Sequence, residues 1–255
     1  MALEEFLPFQ VFVFLLVISR VGSTILIMPG IGETFINNRI RMSLVAVLAL
    51  ALTPVLTRYM PPEPPNAVML FVLVFGEVVI GLYFGLVARI LLLTLDTTGR
   101  VISFAMGLAA AQVFNPALSN QGTLPGFFLT TLGLLFLFVL NLHHMLIAAV
   151  VDSYEVFPVG QPLPYDGLSE AMTRVVSGSF EVAIQLAAPF MVVSLVFFTA
   201  LGLLSRLMPQ LQIFIIGLPA QMVMGFLLLS SLVTGIMSLH MQYYVDTIGT
   251  YLLGR

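Results

Sequence analysis

Residues 68–93 read VMLFVLVFGEVVIGLYFGLVARILLL, an apolar stretch interrupted by Glu77, Arg89 and three glycines. A helix needs about 20 mainly apolar residues to cross the hydrocarbon core of a bilayer, so this stretch is long enough to do so. Charged side chains at that depth are costly and normally face protein or a water-filled cavity. The stretch therefore predicts a membrane-type helix whose polar side chains pack against other protein.

The same pattern recurs along the chain, because nearly every apolar stretch contains or adjoins Pro, Gly or Arg. A backbone group without a hydrogen-bond partner is costly in hydrocarbon unless protein or water satisfies it. We therefore expect protein neighbours to cover helix kinks at Pro54, Pro189, Pro209, Gly217 and Pro219. The predicted spans are residues 9–28, 42–56, 68–93, 127–151, 180–204 and 213–239.

The composition places the chain among membrane proteins. Hydrophobic residues make up 60% and charged residues 8%, whereas soluble domains are about half apolar and about a quarter charged. All nine basic residues are Arg, which favours fixed, bidentate pairing. We expect one all-helical body that binds no nucleic acid. The absence of Cys excludes disulfides and thiolate chemistry.

Two polar segments divide the predicted helices. Residues 94–126 are rich in small and polar side chains, and we expect a long irregular segment there that lines a cavity and moves. Residues 152–170 are rich in Pro and Gly and predict a loop that separates the last two spans from the rest. At the other end, Glu4 and Glu5 precede the first basic residue, Arg20, so we expect no signal peptide and a retained first span.

Ionisable residues inside the spans are the candidates for chemistry. Arg20, Glu77 and Arg89 could form an ion pathway, or could form ion pairs between helices or subunits. We favour ion pairing, because too few such residues exist for a relay, and we place Arg206 in the same class of polar contact.

His143 and His144 suggest a metal site or a proton relay. Adjacent residues of a helix point about 100° apart, so both rings could not face one metal from a regular helix. Asp152 is also too distant along the helix for a tight site. We expect a structural role for the two rings.

The sequence contains no arrangement typical of a catalytic site. A Ser-His-Asp order, paired carboxylates at useful spacing, a phosphate-cradling glycine loop and a zinc-protease motif are all lacking. We therefore predict a protein that is not an enzyme and that binds neither a cofactor nor a metal.

The order of landmarks resembles the FliR family of the type III secretion export apparatus. The resemblance covers nearly the whole chain, with one departure at Gln212, where we expect Asn. The motifs are Arg39-x-Arg41 before an apolar run to Pro54; Glu77 with Gly81 and Gly85; Gly107 leading to Pro116 and Gly122; NLHH at 141–144; FPVG at 157–160; Ala188-Pro189; and RLMPQ at 206–210 leading to Phe214, Gly217 and Pro219.

This resemblance implies one copy of the chain in a hetero-oligomeric gate with several FliP and FliQ subunits, contacted by FlhB. It implies a FliP-like part at residues 1–165 and a FliQ-like helical hairpin at 166–255. The cargo would be exported flagellar proteins. The gate would belong to the bacterial inner membrane at the flagellar basal body and would be raised toward the periplasm.

The resemblance also implies an inward loop that plugs the closed channel, here residues 107–122. Phe114 would be the apolar stopper, and Gly107, Pro116 and Gly122 would fix and hinge the loop. Gln112, Val113 and Asn115 belong to the same segment. A hydrophobic constriction blocks water and ions by dewetting and can still part for an unfolded chain.

A different function remains open on the residues alone. Secondary transporters of small solutes or ions also use discontinuous helices, placed at corresponding positions of two repeats around a substrate site. This chain does not show two matching halves. Transport by the purified chain alone would favour a transporter, whereas a need for partners in folding would favour a gate subunit.

Overall fold

The computed structural model describes residues 3–62, 66–108, 122–162, 164–208 and 213–252. Within these ranges the chain is helical and contains no strand, which confirms the all-helical fold class. The described helices are α1 (Leu3–Ile27), α2 (Asn38–Leu56), a 3₁₀ turn (Thr57–Tyr59), α3 (Ala67–Ala105), α4 (Leu124–Val139), α5 (Leu142–Val156), α6 (Tyr165–Leu207) and α7 (Ile213–Tyr251).

Five of these helices are long and apolar enough to cross a membrane, and the bent pair α4 and α5 would make a sixth span. The number agrees with the six predicted spans. Three helices extend well beyond the predicted limits, since α3 and α7 have 39 residues each and α6 has 43. About 20 residues suffice to cross the hydrocarbon core.

The prediction of an irregular segment from residue 94 is wrong for its first part, because α3 continues to Ala105. Its polar side chains are satisfied along the helix. Arg100 pairs with Asp96 one turn away, at 2.8 Å, and Thr98 donates to the carbonyl of Thr94. Gly76, Gly81 and Gly85 do not interrupt α3 either.

The break in the fourth predicted span lies at Asn141 and not at a Pro or Gly. The chain bends by 71° between α4 and α5. Asn141 has φ 57° and ψ 24°, in the left-handed region that Asn tolerates better than other residues with a Cβ. Its backbone N–H still donates to the carbonyl of Phe138, and its own carbonyl accepts from His144.

The predicted loop at 152–170 is shorter in the structure. Helix α5 continues to Val156 and α6 begins at Tyr165. Pro54, Pro189 and Pro219 lie inside continuous helices, so kinks at these positions stay a prediction. Gly217 lies inside α7, where a Cβ would come within 2.8 Å of Leu201, and Pro209 lies outside the described residues.

The chain forms two compact units, each built from discontinuous segments. The first unit, which we call unit 1, contains Met1–Leu91, Phe138–Val175 and Val245–Arg255. The second, unit 2, contains Leu92–Leu137 and Val176–Tyr244. The FliP-like and FliQ-like parts concern likeness to other subunits, which this division does not test, and they stay a prediction.

Candidate functional site

The best-defined polar site lies in unit 1 and is centred on Arg20 of α1. The guanidinium forms a two-point ion pair with Glu77 of α3, with Nε to Oε2 at 2.7 Å and Nη2 to Oε1 at 2.9 Å. Two of the predicted polar residues are thereby brought together. Arg20 is 0% and Glu77 2% exposed, so the pair is removed from solvent.

Residues of α5 complete the surroundings of Arg20. Nη1 donates to Ser153 Oγ at 3.0 Å, and Nη2 donates to the carbonyl of Phe157, just past the helix end, at 2.9 Å. The guanidinium carbon lies 3.8 Å from the ring centroid of Tyr154, a cation–π arrangement. We call Arg20, Glu77, Ser153, Tyr154 and Phe157 the arginine site.

The chemistry of the arginine site is structural. A guanidinium stays protonated in proteins, and its planar fork matches a carboxylate at two points. A buried ion pair gives little net stability against apolar packing, but removal of one partner leaves a buried charge and is strongly destabilising. The site therefore fixes α1, α3 and the end of α5 in one arrangement.

Close contact between α1 and α3 allows the ion pair to form. A Cβ on Gly81 would lie 2.0 Å from Ser23 Oγ and 2.3 Å from the carbonyl oxygen of Arg20. Thr24 Oγ1 donates to the carbonyl of Gly81 at 3.0 Å. Gly85 adds a second close approach, to the carbonyl oxygen of Thr24. Glycines at these positions let the two backbones meet next to the buried charges.

The two other predicted arginines lie elsewhere. Arg89 of α3 pairs with Glu33, at 3.0 Å from Nη1 to Oε1, and both side chains are partly exposed. Arg41 donates to the carbonyl of Glu33 and so holds the same turn. Arg206 is exposed near the end of α6, and the described part of the chain gives it no ion pair.

The start of the predicted plug segment, Gly107, lies in unit 2 at the C-terminal end of α3. Leu108 N–H donates to the carbonyl of Ser103, and Gly107 N–H donates to that of Phe104. With Gly107 at φ +72°, these two bonds form a Schellman motif, the usual helix end at a left-handed glycine. The direction in which the chain leaves α3 is therefore set by Gly107.

The other end of that segment, Gly122, precedes α4 and also has positive φ, +78°. Thr123 Oγ1 accepts from the N–H of Gly126 at 3.1 Å, as an N-cap residue does. A Cβ on Gly99 would lie 2.2 Å from Cα of Gly126, so the backbones of α3 and α4 are in contact here. Both ends of the segment are thus held within unit 2. Gln112, Val113, Phe114, Asn115 and Pro116 lie outside the described residues.

His143 and His144 lie at the start of α5, next to the bend. Their rings are 4.1 Å apart between centroids, and the His143 ring is 5.1 Å from that of Phe138. In the part of the chain that the structure describes, no group of three His, Cys, Asp or Glu side chains could hold a metal ion.

Sequence reasoning did not identify several partners of the arginine site. Ser153 and Tyr154 were not singled out, and they are 133 and 134 positions beyond Arg20. Ser153, Tyr154 and Phe157 all fall within the loop predicted at 152–170, and no pattern there pointed to a contact with Arg20. Gln221 of α7 was also missed; its Nε2 donates to the carbonyl of Ala105 at 2.6 Å in unit 2.

Comparison with known proteins extends over nearly the whole chain. A family model described as Bacterial export proteins, family 1, matches residues 11–247. Flagellar biosynthetic protein FliR of Caulobacter vibrioides is 40% identical over 228 residues, 89% of this chain and 91% of that protein. The same-named protein of Bacillus subtilis is 30% identical over 220 residues, 85% and 84%. Yop proteins translocation protein T of Yersinia pestis is 27% identical over 219 residues, 84% and 83%.

Proposed function

The chain belongs to the bacterial export proteins, family 1, and on that basis we propose that it is a structural, gate-forming subunit of the flagellar type III protein export channel. The observation that carries this proposal is the 40% identity over 89% of the chain to a protein named for flagellar biosynthesis. The family resemblance drawn from the sequence motifs is thereby confirmed.

The location follows from the same membership together with the helices. Five helices are long and apolar enough to cross a membrane, which supports a membrane-embedded export component. We propose the inner membrane at the flagellar basal body, with the assembled gate raised toward the periplasm. Many large apolar side chains on the described helices are exposed, including Val192, Leu195 and Val196 of α6, and partner subunits would cover part of them.

The proposed partners are FliP and FliQ subunits in one hetero-oligomer, with FlhB in contact and flagellar proteins as cargo. In this proposal residues 1–165 fold like a FliP subunit, and residues 166–255 form a helical hairpin like that of a FliQ subunit. The role is structural and not catalytic. The arginine site supports this role, since its buried hydrogen bonds join three helices.

Residues 107–122 are the proposed plug of the closed channel. The support is that both ends are firmly held, by a left-handed glycine at Gly107 and by the Gly99 and Gly126 contact beyond Gly122. Shortening the 112–121 stretch should leave assembly intact and raise ion leakage through the closed complex. Unchanged leakage in an assembled complex would contradict the plug.

A gene deletion tests the export function directly. In the bacterium that encodes the chain, loss of the gene should abolish both motility and the release of flagellar proteins into the medium, and the wild-type gene should restore both. Normal release in the deletion strain would overturn the proposal. Substrate-dependent uptake by the purified chain alone in liposomes would instead favour the secondary transporter.

A further inference from the structure

The Schellman motif at the C-terminal end of α3 leaves the carbonyls of Ala105 and Met106 unused. The motif takes the carbonyls of Ser103 and Phe104, and Ile102 accepts from Met106. The last carbonyls of a helix lack partners within the helix and need another donor. Gln221 of α7, 1% exposed, supplies one, because its Nε2 donates to the Ala105 oxygen at 2.6 Å.

One face of α7 packs against this end of α3. Leu218, Gln221 and Gly225 follow one another at spacings of three and four residues, which places them on the same side of a helix. A Cβ on Gly107 would lie 3.1 Å from Gln221 Oε1 and 3.5 Å from Leu218 Cδ2. A Cβ on Gly225 would lie 2.3 Å from Met106 Cγ. The absence of a side chain at both glycines allows this contact.

The second polar atom of Gln221 is also informative. Its Oε1 is buried and has no hydrogen-bond partner among the described residues. Buried polar atoms are usually satisfied, so such an atom calls for an explanation. A Gln at this position is costly if it only fills space, and an apolar side chain of the same length would pack without leaving that oxygen unpaired.

We propose that Gln221 is a positioning residue for the closed gate: by holding the Ala105 carbonyl and the Gly107 turn, it fixes where the chain leaves α3. This inference rests on the proposed function, since it gives Gln221 a role only if residues 107–122 close the channel. Through Gln221, α7 would directly fix the N-terminal end of residues 107–122.

The test compares Gln221→Met with Gln185→Met in the complete export complex in its host. Methionine keeps the length of the glutamine side chain and removes both polar groups. Gln185 lies on the exposed face of α6 in the same unit and hydrogen-bonds only Glu181 there among the described residues. Leakage is read as loss of membrane potential with a potential-sensitive dye. Assembly is read by co-purification of the complex, and export by flagellar protein in the medium.

We expect Gln221→Met to raise leakage several-fold over Gln185→Met while assembly and export persist. A purely structural role would instead reduce assembly, export and leakage together. Equal leakage of the two variants in assembled complexes would overturn the inference. A complex with residues 112–121 shortened is measured in parallel. If that complex leaks and Gln221→Met does not, only the positioning role of Gln221 is refuted. If neither complex leaks, the proposed plug is refuted, and the role of Gln221 is refuted with it.

A second pair of substitutions keeps the test decisive if Gln221→Met does not assemble. The chain has no Cys, so Met106→Cys with Gly225→Cys introduces the only two thiols of this chain. A Cβ on Gly225 would lie 3.0 Å from Cβ of Met106, whereas the two Cβ atoms of a disulfide are about 3.5–4.5 Å apart, so a small outward shift of one helix brings the two thiols into bonding distance. In the complex that retains Gln221, oxidation should join the two residues, which tests the contact between α7 and the end of α3 without Gln221→Met. Where Gln221→Met assembles, the same bond should suppress its leakage. Failure of the thiols to join, or persistent leakage after joining, would overturn the inference.

Discussion

Glu77 accepts two hydrogen bonds from Arg20, 57 positions earlier in the chain, and the shorter of them is 2.7 Å. Both side chains are almost fully buried. The contact joins the first and third helices at a depth where neither charge has access to bulk water.

Substitution Glu77→Gln should destabilise the protein strongly. It leaves the Arg20 charge buried without a counter-ion, and removal of one partner of a buried pair costs about 3–5 kcal/mol. The measurement is the yield and thermal unfolding midpoint of the complex purified in mild detergent.

Glu170→Gln is the matched control for that substitution. Glu170 pairs with Arg174 one turn away on α6, where both side chains are 65% exposed. Exposed pairs of this kind contribute about 0.3–0.5 kcal/mol. Equal effects of the two substitutions would show that burial of the Arg20 pair does not contribute to stability.

Gly81→Ala should separate α1 from α3. A Cβ there would lie 2.3 Å from the carbonyl oxygen of Arg20, which is backbone and cannot turn away. Overpacking of this kind costs about 1–3 kcal/mol. Gly76→Ala on the same helix is the control, since a Cβ there has no neighbour within 4 Å, and we expect it to be neutral or stabilising. A lower unfolding midpoint for Gly76→Ala than for Gly81→Ala would contradict the close contact.

The bend between α4 and α5 should depend on the residue type at Asn141. Glycine adopts left-handed φ values freely, whereas most residues with a Cβ lose about 1–2 kcal/mol there. Asn141→Gly should therefore keep normal levels of assembled complex, and Asn141→Ala should lower them. Identical levels for the two variants, measured by quantitative immunoblotting of the membrane fraction, would argue against the bend.

Replacement of both His143 and His144 by Gln should leave export of flagellar proteins intact. The rings contact each other and Phe138, and among the described residues they belong to no metal-binding group. Export is measured as flagellar protein in the culture medium. Loss of export with normal assembly would point to a proton or metal role for these residues.

The sequence predicted the features that depend on local composition. Apolar length gave six membrane-type spans, and charge at membrane depth directed attention to Arg20 and Glu77. Both inferences need only the cost of placing polar groups in hydrocarbon. The contacts of Arg20 with Ser153 and Phe157 join residues that are 133 and 137 positions apart in the sequence. No local sequence pattern indicates such contacts.

The limits of the helices were harder to predict for the same reason. The segment from Thr94 to Ala105 contains Gly99 and charged residues, a composition that predicts irregular chain. It is helical, and neither feature interrupts α3: Asp96 and Arg100 form an ion pair along it, and Gly99 packs directly against Gly126. Asn141 is not among the predicted breaks, which rest on Pro, Gly and Arg, although Asn also tolerates left-handed φ.

The discontinuity of unit 1 bears on the timing of biosynthesis. Residues 245–255 belong to the same unit as the first 91 residues, and Arg174 is hydrogen-bonded to Tyr251 within it. A ribosome adds about 5–20 residues per second. The C-terminal segment that completes unit 1 is therefore synthesised many seconds after the first helices. Unit 1 therefore cannot be complete before residue 251 has been translated, and any partner that recognises the finished unit has to bind after that point.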